Sequence, residues 1–176
     1  EEGREQAAAA AEALKHISFD IAVYSGLPRT RETAEIVLAA QDRPPALQSC
    51  EGLEELKSGW IKAKSREELA ARLAYSFDAA GENGATFLED GETFDGAQKR
   101  VVASLQSLIL EASWKTALIV AHEGVNRIAL GWACGGGLAT ISAFEQDLGC
   151  VNLLDFDVTP ASGRDEPQIE RALIKA

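Results

Sequence analysis

The chain has 176 residues, of which 46% are hydrophobic and 26% charged, a composition expected of one ordinary globular domain over residues 1–176 with a full core. Its 28 acidic and 17 basic residues give a formal charge of −11, and no lysine or arginine run offsets it, so neither nucleic acid nor a membrane surface is an expected partner. No apolar run approaches the length of a membrane span, and the three cysteines, Cys50, Cys134 and Cys150, are odd in number and lack a CxxC spacing. They predict free, buried thiols in a reducing compartment, hence the cytoplasm, and no metal or cofactor is expected.

In chain order, Glu2 to Lys15 is alanine-rich and predicts a first helix. His16 follows at its carboxyl end, where a histidine meets the helix dipole and water. Phe19 to Ser25 (FDIAVYS) predicts a short strand with an acidic start, running through Gly26 and Leu27 into a helix over Pro28 to Ala40. The Asp42-Arg43-Pro44-Pro45 cluster ends that helix, because proline cannot continue its hydrogen-bond ladder. Ala46 to Cys50 predicts a further strand leading into an acidic loop, Glu51 to Glu55.

Ser65 and Glu68 form a capping-box pattern, opening a helix with Leu69, Leu73 and Phe77 on one face. A polar, glycine-bearing loop from Gly81 to Gly91 separates it from a long helix capped by Thr93, with Phe94, Ala97, Val101, Leu105, Leu108 and Ala112 as its apolar face. Ala117 to Ala121 is an unbroken apolar run, the pattern of a strand buried on both faces, and it ends at His122. Val125, Ile128, Ala129 and Trp132 then recur at helical spacing, and Gly135-Gly136-Gly137 stops that helix. Cys150 to Val158 and Gln168 to Ile174 predict a final strand pair around a turn at Thr159-Pro160-Ala161-Ser162-Gly163. Strands alternating with helices predict an α/β domain with a largely parallel sheet.

Two strand-to-helix junctions carry the chemistry. His122 stands at a strand's carboxyl end beside a helix start, where free backbone N–H groups favour anions. Arg29 lies in the first turn after the earlier strand, and a guanidinium there can hold a phosphate through two parallel hydrogen bonds. Read locally, Arg29 and Arg31 are equally well solvated helix residues, and the lesser alternative for His122 is a buried, neutral core histidine.

Taken together, the segments resemble the histidine phosphatase superfamily, the phosphoglycerate mutase-like family. YSGLPRTRETAEIV resembles its Ser-x-x-x-Arg-Ala-x-x-Thr-Ala block, and EEGREQAAAAAEAL the helix before it. LEELKSGW, Leu53 to Trp60, is similar to its Leu-x-Glu segment, DGETFDGAQKRV to its Gly-Glu-Ser segment, and VAHEGVNRIAL to its second catalytic histidine. Five blocks in the family's order span roughly Glu1 to Leu130. The resemblance implies a three-layer α/β/α sandwich with a mostly parallel central sheet. It also implies an initial strand ending in Arg-His-Gly, whose histidine forms a phosphohistidine. The chain opens at the equivalent of the first helix, so that strand is expected in a segment preceding Glu1.

The same resemblance implies site roles. Arg29 would clamp the phosphoryl oxygens, His122 would hydrogen-bond them, and Glu55 would protonate the leaving oxygen, with Glu51 and Glu54 as close rivals in the same loop. The backbone of Glu123 and Gly124 would face the anion. Ser25 joins the candidate site residues, and Glu92 would either orient a histidine or cap a helix start. One position departs from the family pattern: Glu123 stands where glycine is usual, and a carboxylate there repels an anionic substrate unless it turns outward.

The expected partner is a small phosphorylated substrate, with a homodimer left open. The segment Ser65 to Asp90 offers Arg66 and Arg72 but not the paired arginine with which mutases of the family hold a substrate carboxylate, which favours a phosphatase over a phosphoglycerate mutase. A non-catalytic domain that keeps a phosphate pocket without a nucleophile is the alternative outside the enzymes.

Overall fold

A computed structural model of the chain describes residues 1–111, 114–160 and 166–175. Its elements in order are α1 (Glu2–Leu14), β1 (Ile21–Tyr24), α2 (Pro28–Ala39), β2 (Leu47–Ser49), α3 (Arg66–Ala74), α4 (Phe94–Leu110), β3 (Ala117–Val120), α5 (Glu123–Ala133), β4 (Leu153–Thr159) and β5 (Gln168–Lys175). Short 3-10 turns cover Glu51–Leu53 and Gly137–Ala143.

β1 is the middle strand of a parallel sheet of order β2-β1-β3, with Tyr24 opposite both Ser49 and Val120. Asp20 fixes the start of this register, because its carboxylate accepts from the amides of Lys115 (2.8 Å) and Thr116 (2.9 Å) just before β3. Side chains alternate across the sheet as strand geometry requires. Ala22, Leu118 and Val120 face α1 and α2 in a cluster with Ala11, Val37 and Leu38. Val23, Ile119 and Ala121 face the other way, into a larger core with Val101, Val125 and Ile128 of α4 and α5. Helices therefore cover both faces, the layering expected of short strands that are apolar throughout.

The sheet is not continuous. β4 and β5 form a separate antiparallel pair, and among the described residues β3 is paired on one side only, with β1. The pair leans on α5, where Trp132 stacks on Phe156 at 5.5 Å between ring centroids. β4 begins at Leu153 rather than Cys150, since the Cys150 amide closes a turn onto the Asp147 carbonyl (3.1 Å). Of the turn expected at Thr159 to Gly163, Ala161, Ser162 and Gly163 lie outside the described residues.

Other expectations shift for identifiable reasons. The Ser65 hydroxyl caps α3 by accepting from the Glu68 amide (3.1 Å), but the Glu68 carboxylate returns to the Lys64 amide, one residue upstream of the capping-box position. α3 ends at Ala74, so Leu73 stays exposed while Phe77 is delivered by the following turns into a cluster with Phe87 (5.3 Å) and Phe94 (6.1 Å). Thr93 caps α4 as expected, but Ile109 is buried more fully than Leu108, and Ala112 lies outside the described residues. All three cysteines are free, yet Cys134 and Cys150 are exposed and Cys50 is half-buried, which corrects the expectation of buried thiols: both exposed residues stand in turns after an element rather than on its core face.

Candidate active site

Parallel pairing of β1 and β3 in register brings their carboxyl ends to one edge. Ser25 continues β1, Gly26 turns the chain at a φ of +91° that favours glycine, and Pro28 starts α2, which places Arg29 in its first turn. At the neighbouring strand end His122 is the N-cap of α5 with extended backbone, and its side chain caps no amide. The first N–H groups of α5 therefore have no helical partners at this edge, and that of Gly124 is taken by the Glu55 carboxylate.

The imidazole sits in a buried chain of polar groups. Ser25 is 0%, Thr30 3% and His122 7% exposed. Arg29 Nη2 lies 3.1 Å from His122 Nδ1, Ser25 Oγ lies 2.7 Å from Nε2, and Ser25 and Thr30 hydroxyls are 2.8 Å apart. Thr30 Oγ1 donates to the Leu27 carbonyl at 2.9 Å. A guanidinium has no acceptor, so Nδ1 must accept and the ring proton belongs on Nε2. The bonds then run one way, from Arg29 to His122, Ser25, Thr30 and the carbonyl of Leu27. Burial, then the charges of Arg29 and Arg100, hold His122 neutral, lowering its pKa from 6.5 to about 4.

Glu55 reaches the same edge from the loop after β2. It is half-buried, and its Oε1 accepts from the Leu56 amide at 3.0 Å and lies against Gly124, the second residue of α5. A Cβ on Gly124 would stand 2.8 Å from Glu55 Oε1 and 2.8 Å from Leu56 Cδ1, so any larger residue there would have to push the ends of these two side chains aside. Burial raises the Glu55 pKa, opposed by hydrogen bonds from the Leu56 and Gly124 amides and by the charge of Arg29, and the charge of Glu123 adds to the rise. Its loop rivals sit differently: Glu51 is exposed, and Glu51 and Glu54 both lie alongside Gly26.

Glu123 does not stand free beside this edge. Arg127, one helical turn along, grips its Oε1 with Nε (3.0 Å) and Nη2 (2.8 Å), donates to the Ile141 carbonyl (3.2 Å), and lies 4.6 Å above the Phe77 ring. The repulsion expected from Glu123 is thus largely neutralised at its source. A cavity of about 430 Å³ opens beside the pair, bordered by Phe77, Asp78, Ser142 and Gln146.

Among the described residues Glu92 bonds to no histidine and caps no helix; its carboxylate is held by Arg100 Nε (2.7 Å) and Nη2 (2.8 Å) and by the Lys57 amide (3.2 Å), while Thr93 takes the cap. Arg31 is an exposed helix residue paired with Glu35, and His16 is exposed at the end of α1. Sequence reasoning missed Thr30, Arg100 and Arg127. The i,i+4 spacing of Glu123 and Arg127 was a usable signal, whereas Arg100 meets the acidic loop only through the tertiary fold.

The result is an α/β protein whose parallel sheet carries, at its carboxyl edge, a guanidinium, a neutral imidazole and a carboxyl with a raised pKa. The model of the histidine phosphatase superfamily (branch 1) matches residues 1–161, and the chain belongs to that superfamily. It is 26% identical over 156 residues to the adenosylcobalamin/alpha-ribazole phosphatase of Escherichia coli K12, covering 88% of this chain and 76% of that protein. Among solved structures, the alpha-ribazole phosphatase from Shigella flexneri superposes with a TM-score of 0.72 at 24% identity, covering 99% of this chain and 80% of that one. A phosphoserine phosphatase from Entamoeba histolytica, in complex with phosphoserine, gives a TM-score of 0.68 at 21% identity, covering 96% of this chain and 80% of that one. At these identities the structural likenesses speak for the fold.

Proposed function

We propose that the protein hydrolyses small phosphomonoesters through a phosphohistidine intermediate, the nucleophile being the histidine of an Arg-His-Gly strand that precedes Glu1. The observation that carries the reading is the juxtaposition of Arg29 with His122 at 3.1 Å and the packing of Glu55 against Gly124 two residues further on. In the resting site Arg29 leans on His122 Nδ1. An arriving phosphoryl group takes the Arg29 N–H bonds for itself; arriving as a monoanion, it gives its proton to Nδ1 of the imidazole, which then donates from Nδ1 to the resulting dianion. The amides at the start of α5 supply further donors to the charge that spreads over the phosphoryl oxygens in transfer.

Glu55 is suited to the proton step. Burial raises the Glu55 pKa and so favours the protonated form that can give a proton to the leaving oxygen, and the resulting carboxylate can then activate the water that cleaves the phosphohistidine. The side of β3 away from β1, unpaired among the described residues, is a fitting place for the Arg-His-Gly strand, which there would end at the same sheet edge. Arg72 is paired with Glu68 and Glu89 and Arg66 is exposed, which argues against a mutase-type carboxylate clamp in this segment.

Assay of the intact protein on p-nitrophenyl phosphate, phosphoserine and alpha-ribazole phosphate tests the reading. Release of inorganic phosphate that is lost in Arg29→Ala is the expected result. Vanadate binding with no phosphate release from any ester would favour a non-catalytic pocket instead.

A further inference from the structure

Arg100 lies on α4, and every one of its donors is engaged. Nε and Nη2 form a fork on the two Glu92 oxygens (2.7 and 2.8 Å). Nη1 donates to the carbonyls of Gly52 (2.9 Å) and Glu54 (2.8 Å), and Nη2 also reaches the carbonyl of Glu55 (3.4 Å). A guanidinium has five N–H donors, and these five bonds account for all of them. Glu92 completes the clamp from the other side: its carboxylate accepts from the Lys57 amide (3.2 Å), and its own amide donates to the Lys57 carbonyl (2.8 Å). The peptide from Gly52 to Lys57 is thus fixed at points before, at and after Glu55. The Glu55 carboxyl itself is left out of the clamp and lies against Gly124 at the phosphate edge.

We infer that Arg100, with Glu92 as its counter-charge, is a positioning residue that fixes the backbone of the Glu55 loop so that the Glu55 carboxyl can protonate the leaving oxygen. The inference rests on the phosphatase reading above. Its physical basis is the sensitivity of proton transfer to placement, since a shift of about 1 Å at a reacting group costs on the order of 10²-fold. The task also requires the planar fork: lysine has the charge but neither the five donors nor their geometry.

The test uses the intact protein, the variants Arg100→Lys and Glu92→Gln, and two substrates that differ in their need for an acid. A nitrophenolate leaves unprotonated, whereas the alkoxide of β-glycerophosphate does not. For Arg100→Lys the expected fall in kcat/KM is roughly 10²-fold for β-glycerophosphate and less than about 5-fold for p-nitrophenyl phosphate, as loss of general-acid catalysis alone predicts. Vanadate affinity should stay within about 3-fold, because Arg29 and His122 are untouched. Glu92→Gln keeps the guanidinium-to-carbonyl bonds and should show a smaller split of the same sign; it also serves if Arg100→Lys does not fold. Equal falls for the two substrates, or loss of vanadate binding, would mean general damage and overturn the positioning role. A wild-type protein that hydrolyses neither ester would defeat the phosphatase reading and this inference with it, a result distinguished by the wild-type rates alone.

Discussion

His122 should make the stability of the fold depend on pH in a defined window. Its pKa falls from 6.5 to about 4 on folding, first through burial and then through Arg29 and Arg100. Between those values the unfolded chain binds a proton that the folded chain does not, so stability rises with pH there. The contribution is fully present above 6.5 and is lost as pH falls toward about 4. At about 1.4 kcal/mol per unit, the gap corresponds to roughly 3 kcal/mol, a large fraction of a typical domain's ~5–15 kcal/mol. Urea unfolding of the wild type and of His122→Gln, from about pH 7.5 down to about pH 4, isolates the term, because every carboxylate common to both proteins cancels to first order. The wild type should lose roughly 3 kcal/mol more than the variant across the window. Arg29→Ala should shrink that extra loss, since it removes the larger of the two repelling charges. Parallel stability curves for wild type and His122→Gln would refute the reasoning.

Arg29→Ala should also lower kcat/KM by roughly 10²-fold or more, the loss expected for a charged clamp on the phosphoryl oxygens, while His16→Ala leaves it unchanged. Similar losses from both would show the roles to be misassigned. Gly124→Ala places a methyl group 2.8 Å from Glu55 Oε1 and Leu56 Cδ1, which displaces the Glu55 carboxyl and should lower kcat while costing no more than about 1 kcal/mol in a denaturation curve. A wild-type kcat would contradict the close approach. Arg127→Met leaves Glu123 uncompensated beside the anion, which should raise KM by about 5-fold, equivalent to about 1 kcal/mol of repulsion in a partly solvated site. An unchanged KM would place the Glu123 charge outside the substrate's field.

The elements were legible where local pattern and tertiary demand agree. The strand ending at His122 is apolar throughout because helices cover both faces, and Pro28 and Thr93 sit where helix starts need them. The convergence of Arg29 and His122 also follows from pattern, since parallel neighbours put two strand-to-helix junctions at one edge. The helix of Leu69, Leu73 and Phe77 misled because an i,i+4 series does not reveal that Phe77 packs on Phe87 and Phe94 after the helix has ended. Glu92 was not legible for a different reason. Its partner, Arg100, lies eight residues away on a different turn of structure, and no spacing rule connects them. Arg100 itself reads as an ordinary helix cation until the fold shows three backbone carbonyls of the acidic loop on its guanidinium.

The claim at the centre of this account is that phosphoryl transfer runs through a histidine other than those in the described site. Rapid quench of the intact protein with a labelled phosphomonoester, followed by mass mapping of the acid-labile adduct at neutral pH, tests it directly. The account predicts one phosphoryl group per chain, carried by the histidine of an Arg-His-Gly sequence preceding Glu1, and, with labelled p-nitrophenyl phosphate, whose leaving group needs no acid, its accumulation in Glu55→Gln, where the water-activating carboxylate is missing. A phosphoryl group on His122 or His16, or steady turnover with no covalent adduct in either protein, would contradict it.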